Sequence, residues 1–345
     1  MTGYFLRRFL LIIPTFLGIT LITFIILQLV PGGPLEMELM KLRGMGGQGG
    51  EVGGPSGQNV TVTIPETALE EMKKFYGFDE PNYLIRYGKW LGNLAQFNLG
   101  NSYVYAEPVM DVIVSRFPIS LYFGTISFFL TYLICVPLGV AKAVKNGAPF
   151  DFISSVIVFA GYAMPGFAFG GLMLILFGGG SFWDVFPLGG FKSVDFEYMT
   201  FPEQVWDIAH HTFLPVLSYM LGSFATLTIL TKNSVIENLS QDYVKTAFAK
   251  GLSERRVIYM HVLRNSLIPI ATGLGHAISL VLAGSFLIEK VFNIDGMGLL
   301  GYQSIIQRDY PVVMGILVIS SLLLLIGNIL SDILYAVIDP RIRFK

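Results

Sequence analysis

Few side chains in this 345-residue sequence have the type and spacing for chemistry, and none of their patterns builds a catalytic centre. Asp207, His210 and His211 invite a metal reading, but adjacent helical residues point apart and only Asp207 and His211 share a face. Two ligands fall short of the three that zinc takes from protein, so the expected role of these histidines is an interfacial anchor beside Trp206. Cys135 is the single cysteine and closes no intrachain disulfide. There is no Gly-x-Ser-x-Gly, no His-Glu-x-x-His and no Gly-Lys-Ser/Thr. Neither ATP hydrolysis by this chain nor a bound metal or cofactor is expected. His276 and Asp332 are ionisable groups in apolar surroundings; no second acid or histidine lies at i±3 or i±4 of His276, and Asn328 is placed to satisfy Asp332. A proton-coupled secondary carrier, the alternative reading, needs several such groups facing one cavity.

The elements that position these groups are apolar. The chain is 53% hydrophobic and 14% charged, with a mean hydropathy of +0.62, which describes a membrane body. Six runs have the length to cross the bilayer as helices: Phe9 to Val30, Ile119 to Val140, Phe152 to Phe177, Thr212 to Leu230, Ile268 to Ile288 and Val312 to Ile338. The first is too long for a signal peptide, and Pro31-Gly32-Gly33-Pro34 is no small-x-small cleavage site. With the N-terminus inside, the inner segments collect thirteen Lys and Arg, whereas the two short outer loops hold only Lys192, Lys290 and Arg308. Both termini are therefore expected inside. Between the first two spans lies a long outer segment, 31–118, with a glycine-dense linker at Gly44 to Gly57 and a short helix expected from Pro65 to Gly77.

Within the spans, polar and small residues cluster on the fourth and fifth. Ser218, Ser223 and Thr226 on one, and Thr272, His276, Ser279 and Ser285 on the other, suit close helix packing at each position. Together they also suit a polar pathway for a cargo rich in amides.

Only one long charged, helix-patterned insert separates two of the spans. Asp242 to Pro269 reads as helix, tight turn, helix: Lys245 to Lys250 are mostly good helix formers, Gly251 fits the residue just past a helix end, and Ser253 stands where an N-cap belongs. A helix-turn-helix that binds DNA would share this punctuation, but 23 Lys and Arg against 24 Asp and Glu leave no basic excess, and no nucleic-acid partner is expected.

This stretch resembles the cytoplasmic "EAA" loop in permease subunits of bacterial ABC importers. The loop's Glu-Ala-Ala and following glycine map onto Lys245, Thr246, Ala247 and Gly251, and Thr246-Ala-Phe-Ala-Lys-Gly-Leu-Ser253 is similar to the form used by the dipeptide and oligopeptide branch. Pro31 to Pro34, Gly161 to Gly166, Leu230 to Ser234, Gly284 to Glu289, Gly298 to Tyr302, Arg308 to Pro311 and Ile338 to Arg341 extend the resemblance over the whole chain, toward the Yej-type permeases associated with microcin C and other peptides. Phe97-Asn98-Leu99-Gly100 stands where the family commonly has Gly-Asp-Leu-Gly, so no role for that acid carries over. The resemblance implies an all-α type I importer permease of six helices in the bacterial inner membrane, with residues 1–30 as the first helix, 31–118 outside and 119–345 as a five-helix core. It implies a second permease, two ATPase domains that use ATP and magnesium, and an external peptide-binding protein as partners. Within the cytoplasmic segment 231–267, the coupling helix is assigned to Lys245, Thr246, Ala247, Ala249, Lys250, Gly251, Leu252 and Ser253.

Overall fold

The computed structural model describes residues 2–29, 80, 82–180, 182–272 and 284–338, and these are helical apart from turns and two isolated bridges. In chain order the helices are α1 (Thr2–Leu29), α2 (Tyr83–Ala95), α3 (Val109–Val144), α4 (Pro149–Ala163), α5 (Gly166–Phe177), α6 (Phe201–Leu239) and α7 (Asp242–Ala249). A second series follows: α8 (Glu254–Arg256), a π-helical turn (Val257–Val262), α9 (Leu263–Thr272), α10 (Phe286–Val291), α11 (Met297–Ile306) and α12 (Tyr310–Ile338). Four of them hold apolar stretches long enough to cross a membrane, Arg7–Leu29, Val109–Val144, Phe201–Leu239 and Tyr310–Leu330, and the bent pair α4–α5 makes a fifth if taken as one span.

Two expectations are corrected here. The single helix expected from Phe152 to Phe177 is broken, with α4 and α5 meeting at 98°. Pro165 carries no N–H to continue α4 and its ring pushes Met164 out of the helical region, to φ −98°, ψ 125°. The fifth expected span does not run on to Ile288, because Gly284 turns the chain at φ +67° and Ser285 starts the separate short helix α10. Most of that span, with His276 and Ser279, lies outside the described residues, as do the Gly44 to Gly57 linker and the helix expected at Pro65 to Gly77. Asp332 is met by the Arg8 guanidinium of α1, a full positive charge that neutralises a nearly buried carboxylate.

The chain divides into two units. The larger comprises 1–12, 116–300 and 320–345, and α6 is its axis. Thr200 and Glu203 start α6, both the N–H and the hydroxyl of Thr200 donating to Glu203 Oε2 at 2.8 Å. Its backbone comes so near α3 that a Cβ on Gly139 would stand 2.5 Å from Thr231 Cβ and 2.8 Å from the Thr228 carbonyl oxygen. Packed across the two helices are Cys135 with Leu227 and Ile270 in the middle, and Phe123 with Leu214, Val216 and Met220 toward the N-terminal end of α6. α5 presses on α6 as closely, since a Cβ on Gly166 would lie 2.5 Å from the Ser218 carbonyl oxygen.

The smaller unit comprises 13–115 and 301–319. Phe24, Tyr87 and Met314 form its core, and the Tyr87 hydroxyl meets Thr20 Oγ1 at 2.9 Å. Asp309, fully buried, accepts from Ser102 Oγ and from the N–H groups of Tyr103 and Val104. Replacing Ser102 by Ala removes the hydroxyl donor to a buried carboxylate, at a cost of about 1–3 kcal/mol. The expected result is a lower thermal midpoint for the detergent-purified protein, with exposed Lys89→Ala changing stability by less than about 0.5 kcal/mol.

Candidate functional site

The stretch that the sequence singles out folds locally as its punctuation requires. α7 ends in a Schellman motif: the Leu252 N–H donates to the Ala247 carbonyl at 3.4 Å and the Gly251 N–H to the Phe248 carbonyl at 2.9 Å. Gly251 takes φ +77°, a left-handed conformation that costs a side chain with a Cβ about 1 kcal/mol or more. Ser253 occupies the N-cap position of α8 in extended conformation, though its hydroxyl makes no cap hydrogen bond. The chain then winds through the π-helical turn, where the Leu263 N–H reaches back five residues to the Ile258 carbonyl. That wider winding places Val257, Ile258 and Val262 together in one buried cluster.

Burial separates α7 into two faces. Val244 and Ala247, three residues apart, are buried against Val140 and Ala143 of α3, Val235 of α6, and Val257, Ile258 and Val262. Leu252 is partly buried on the same cluster. The other face, with Lys245, Thr246, Ala249 and Lys250, is exposed, and so are Gly251 and Ser253 in the turn. Thus, of the eight residues assigned from sequence to coupling, Ala247 and Leu252 seat the element and six present themselves to solvent. Sequence reasoning missed two aromatic residues on this outer side, Tyr243 at 38% and Phe248 at 45% exposure. Helical spacing sets Phe248 at i+4 from Val244, on the side the sequence would bury, so its 45% exposure is legible only in the structure.

The polar residues assigned to a pathway divide differently. Ser218 is buried; its hydroxyl donates to the Leu214 carbonyl at 2.9 Å, and the glycines of α5 pack on it. Ser218 is therefore packed against α5. Ser223 and Thr226 are exposed on α6 and continue with Leu230 and Asn233 as one stripe at helical spacing. Thr272 is the last described residue of α9. Ser285 caps α10, with its N–H donating to the Tyr219 hydroxyl at 3.0 Å and to Glu289 Oε1 at 3.3 Å.

Glu289 is a third residue, after Tyr243 and Phe248, to which sequence reasoning gave no role. Fully buried, it accepts from Ser120 Oγ and the Tyr219 hydroxyl, each at 3.2 Å, and from the Leu299 N–H at 2.7 Å. Gly284 and Gly296 close around it; a Cβ on either would come within 2.7 Å of its carboxyl oxygens. Burial raises the carboxyl above its ordinary value, against the hydrogen bonds that favour the charged form. Asp207 is likewise spent on structure, accepting from the N–H of Ser193 at 2.9 Å and its hydroxyl at 2.5 Å. His210 Nε2 lies 2.6 Å from the Val185 carbonyl oxygen and its ring stacks on Trp206. No group of three metal-binding side chains occurs among the described residues.

The described residues thus form a helical body with apolar stretches long enough to cross a membrane, carrying a short two-faced helix at its surface. Residues 135–344 match the family model of the binding-protein-dependent transport system inner membrane component, and the chain belongs to that family. It is 41% identical to the peptidoglycan transport system permease protein YejB of Agrobacterium fabrum, covering 100% of this chain and 99% of the relative. It is 38% identical to the inner membrane ABC transporter permease protein YejB of Escherichia coli O157:H7, with full coverage of both. The oligopeptide transport system permease protein AppB of Bacillus subtilis is 34% identical, again over both full lengths. Among solved structures, the inward-facing MetNI methionine ABC transporter shares the fold with a TM-score of 0.51 at 16% identity, covering 67% of this chain and 97% of that one. The protein is thus a multi-pass component of the inner membrane.

The two faces of α7 predict opposite outcomes for neighbouring substitutions. Ala247→Glu places a carboxylate among valines and is expected to cost at least about 2 kcal/mol. Thr246→Glu, on the exposed face, is expected to stay within about 0.5 kcal/mol. Thermal denaturation of the two purified variants in detergent checks the contrast.

Proposed function

We propose that this chain is one of two permease subunits of an ATP-driven peptide importer, and that the outer face of α7 is where a partner ATPase docks. One observation carries the reading: α7 is held to α3 and α6 by Val244 and Ala247 while Tyr243, Lys245, Thr246, Phe248, Ala249 and Lys250 are left exposed. A helix seated so by one face moves its supports when a partner holds the other. The chain carries no phosphate-binding Gly-Lys-Ser/Thr of its own, so the nucleotide and its magnesium belong to that partner.

The distribution of cations supports a cytoplasmic α7 with both termini inside, and a binding protein then delivers cargo from the periplasm. Six spans complete the bundle when the segment from 268 to the turn at Gly284 supplies the fifth. The exposed stripe of Ser223, Thr226 and Asn233 faces a second, similar permease across the pathway, joined there by Thr272, His276, Ser279 and Ser285. We assign peptides as cargo, peptide antibiotics such as microcin C included, because the relatives named above are permeases of peptidoglycan and oligopeptide systems. ATP and the loaded binding protein drive transport only by favouring one state of the bundle over another, since a ligand shifts an equilibrium no further than its differential affinity allows.

Mild solubilisation of the tagged chain from its native membrane, followed by mass spectrometry, tests this assignment. A second permease and an ABC ATPase are expected with it, and Phe248→Asp is expected to lose the ATPase while keeping the permease. Recovery of the chain alone, together with peptide uptake that collapses with the proton gradient, would establish the secondary carrier instead.

A further inference from the structure

Beyond the coupling surface, the structure holds a cluster of three charges that no function described so far uses. Lys142, near the end of α3, is almost fully buried. Its ammonium donates to the Asp151 carbonyl at 2.9 Å, to Ser154 Oγ at 2.8 Å and to Ser155 Oγ at 2.7 Å, and stands 3.1 Å from Asp151 Oδ1. The ammonium of Lys232 on α6 donates to both oxygens of the same carboxylate, at 2.9 and 2.7 Å. The Gly147 N–H completes the set at 3.1 Å from Oδ2. One aspartate in the first turn of α4 therefore pairs with a lysine from each of two other helices.

What gives this cluster meaning is the other side of the same two helices. α3 turns Val140 and Ala143 toward α7 and Lys142, between them in sequence, toward α4. α6 does likewise, with Val235 in the α7 cluster and Lys232, one turn earlier, on Asp151. Between these contacts α3 and α6 are locked by the close approach at Gly139, which leaves no room for one to slide on the other. A displacement of α7 must therefore move α3 and α6 together, and the charged cluster is what passes the displacement to α4. Past its break at Pro165, α4 leads into α5, whose Gly166 and Gly170 bear on Ser218, and Gly170 also bears on Phe292.

We propose that Lys142, Asp151 and Lys232 form the junction through which movement of the coupling helix reaches the broken span α4–α5. These are positioning residues for the transport cycle, and the inference rests on the importer reading above. A charged junction suits this task, because an ion pair with several fixed donors holds direction as well as distance, which apolar contact does not. Asp151 is its centre. Removing its charge leaves two lysines facing each other, whereas removing Lys232 leaves the Lys142–Asp151 pair in place.

The test uses the complete importer, with its second permease, ATPases and binding protein, reconstituted in vesicles and supplied with a radiolabelled tripeptide. ATP hydrolysed per tripeptide imported is measured for the wild type, Asp151→Asn, Asp151→Glu and Lys232→Gln. A broken junction raises the ratio roughly fivefold in Asp151→Asn, with a smaller rise in Lys232→Gln and a return toward the wild-type ratio in Asp151→Glu. Lys232 is partly exposed, so its variant keeps the test open if Asp151→Asn does not assemble. Import and hydrolysis falling in equal proportion, or a ratio unchanged in Lys232→Gln where Asp151→Asn is not recovered, would overturn the inference and leave the cluster a structural support. A wild-type complex that imports no tripeptide in response to ATP would overturn the importer reading itself, and the junction with it.

Discussion

The contact between α3 and α6 at Gly139 is the constraint on which the larger unit depends. Two helices whose backbones approach this closely admit only a hydrogen at the crossing, so glycine is there for space and not for flexibility. With the crossing fixed, the features of the unit fall on its flanks. The Phe123 cluster and the Glu289 cage use Ser120 and Tyr219 at one end. Cys135 and Leu227 fill the middle. The seat of α7 and the Lys142–Asp151–Lys232 junction occupy the other end. Lipid cannot supply the hydrophobic drive that holds helices together in water, so close packing and buried hydrogen bonds take over that task.

Buried carboxylates recur through the molecule, and each is satisfied by a different means. Asp151 takes two lysines, Asp332 takes Arg8, Asp309 takes a serine and two amides, and Glu289 takes hydroxyls and amides with no cation among the described residues. In every case the acid ties together segments distant in sequence. A buried acid left without such partners would cost several kcal/mol, so each forces its segments into one arrangement. This is why acids in apolar surroundings here mark junctions of the fold rather than a proton route.

Local signals were the ones most legible in the sequence. The turn at Gly251 and the helices on either side were readable because cap residues act within a few positions, and the Schellman hydrogen bonds follow from them. Most of the long spans were readable because composition alone decides them. The break at Pro165 was readable in principle from the residue pair Met164-Pro165, but an apolar run with no polar interruption conceals it. Pairings such as Arg8 with Asp332, or Lys232 with Asp151, depend on which helix faces which, and no periodicity within one helix contains that. The same limit hid Phe248, whose apolar character suggests burial until the seat of α7 shows which face is taken.

The central claim is that ATP-derived force enters this subunit through the outer face of α7. Its most direct measurement places a photo-crosslinking amino acid at position 248, at buried position 244 and at exposed position 198 beyond the other end of α6, in cells that express the whole importer. The predicted result is a crosslink to an ABC ATPase from position 248 and none from 244 or 198. An ATPase crosslink from 198, or none from 248 while the assembled importer is recovered from the same cells, would contradict it.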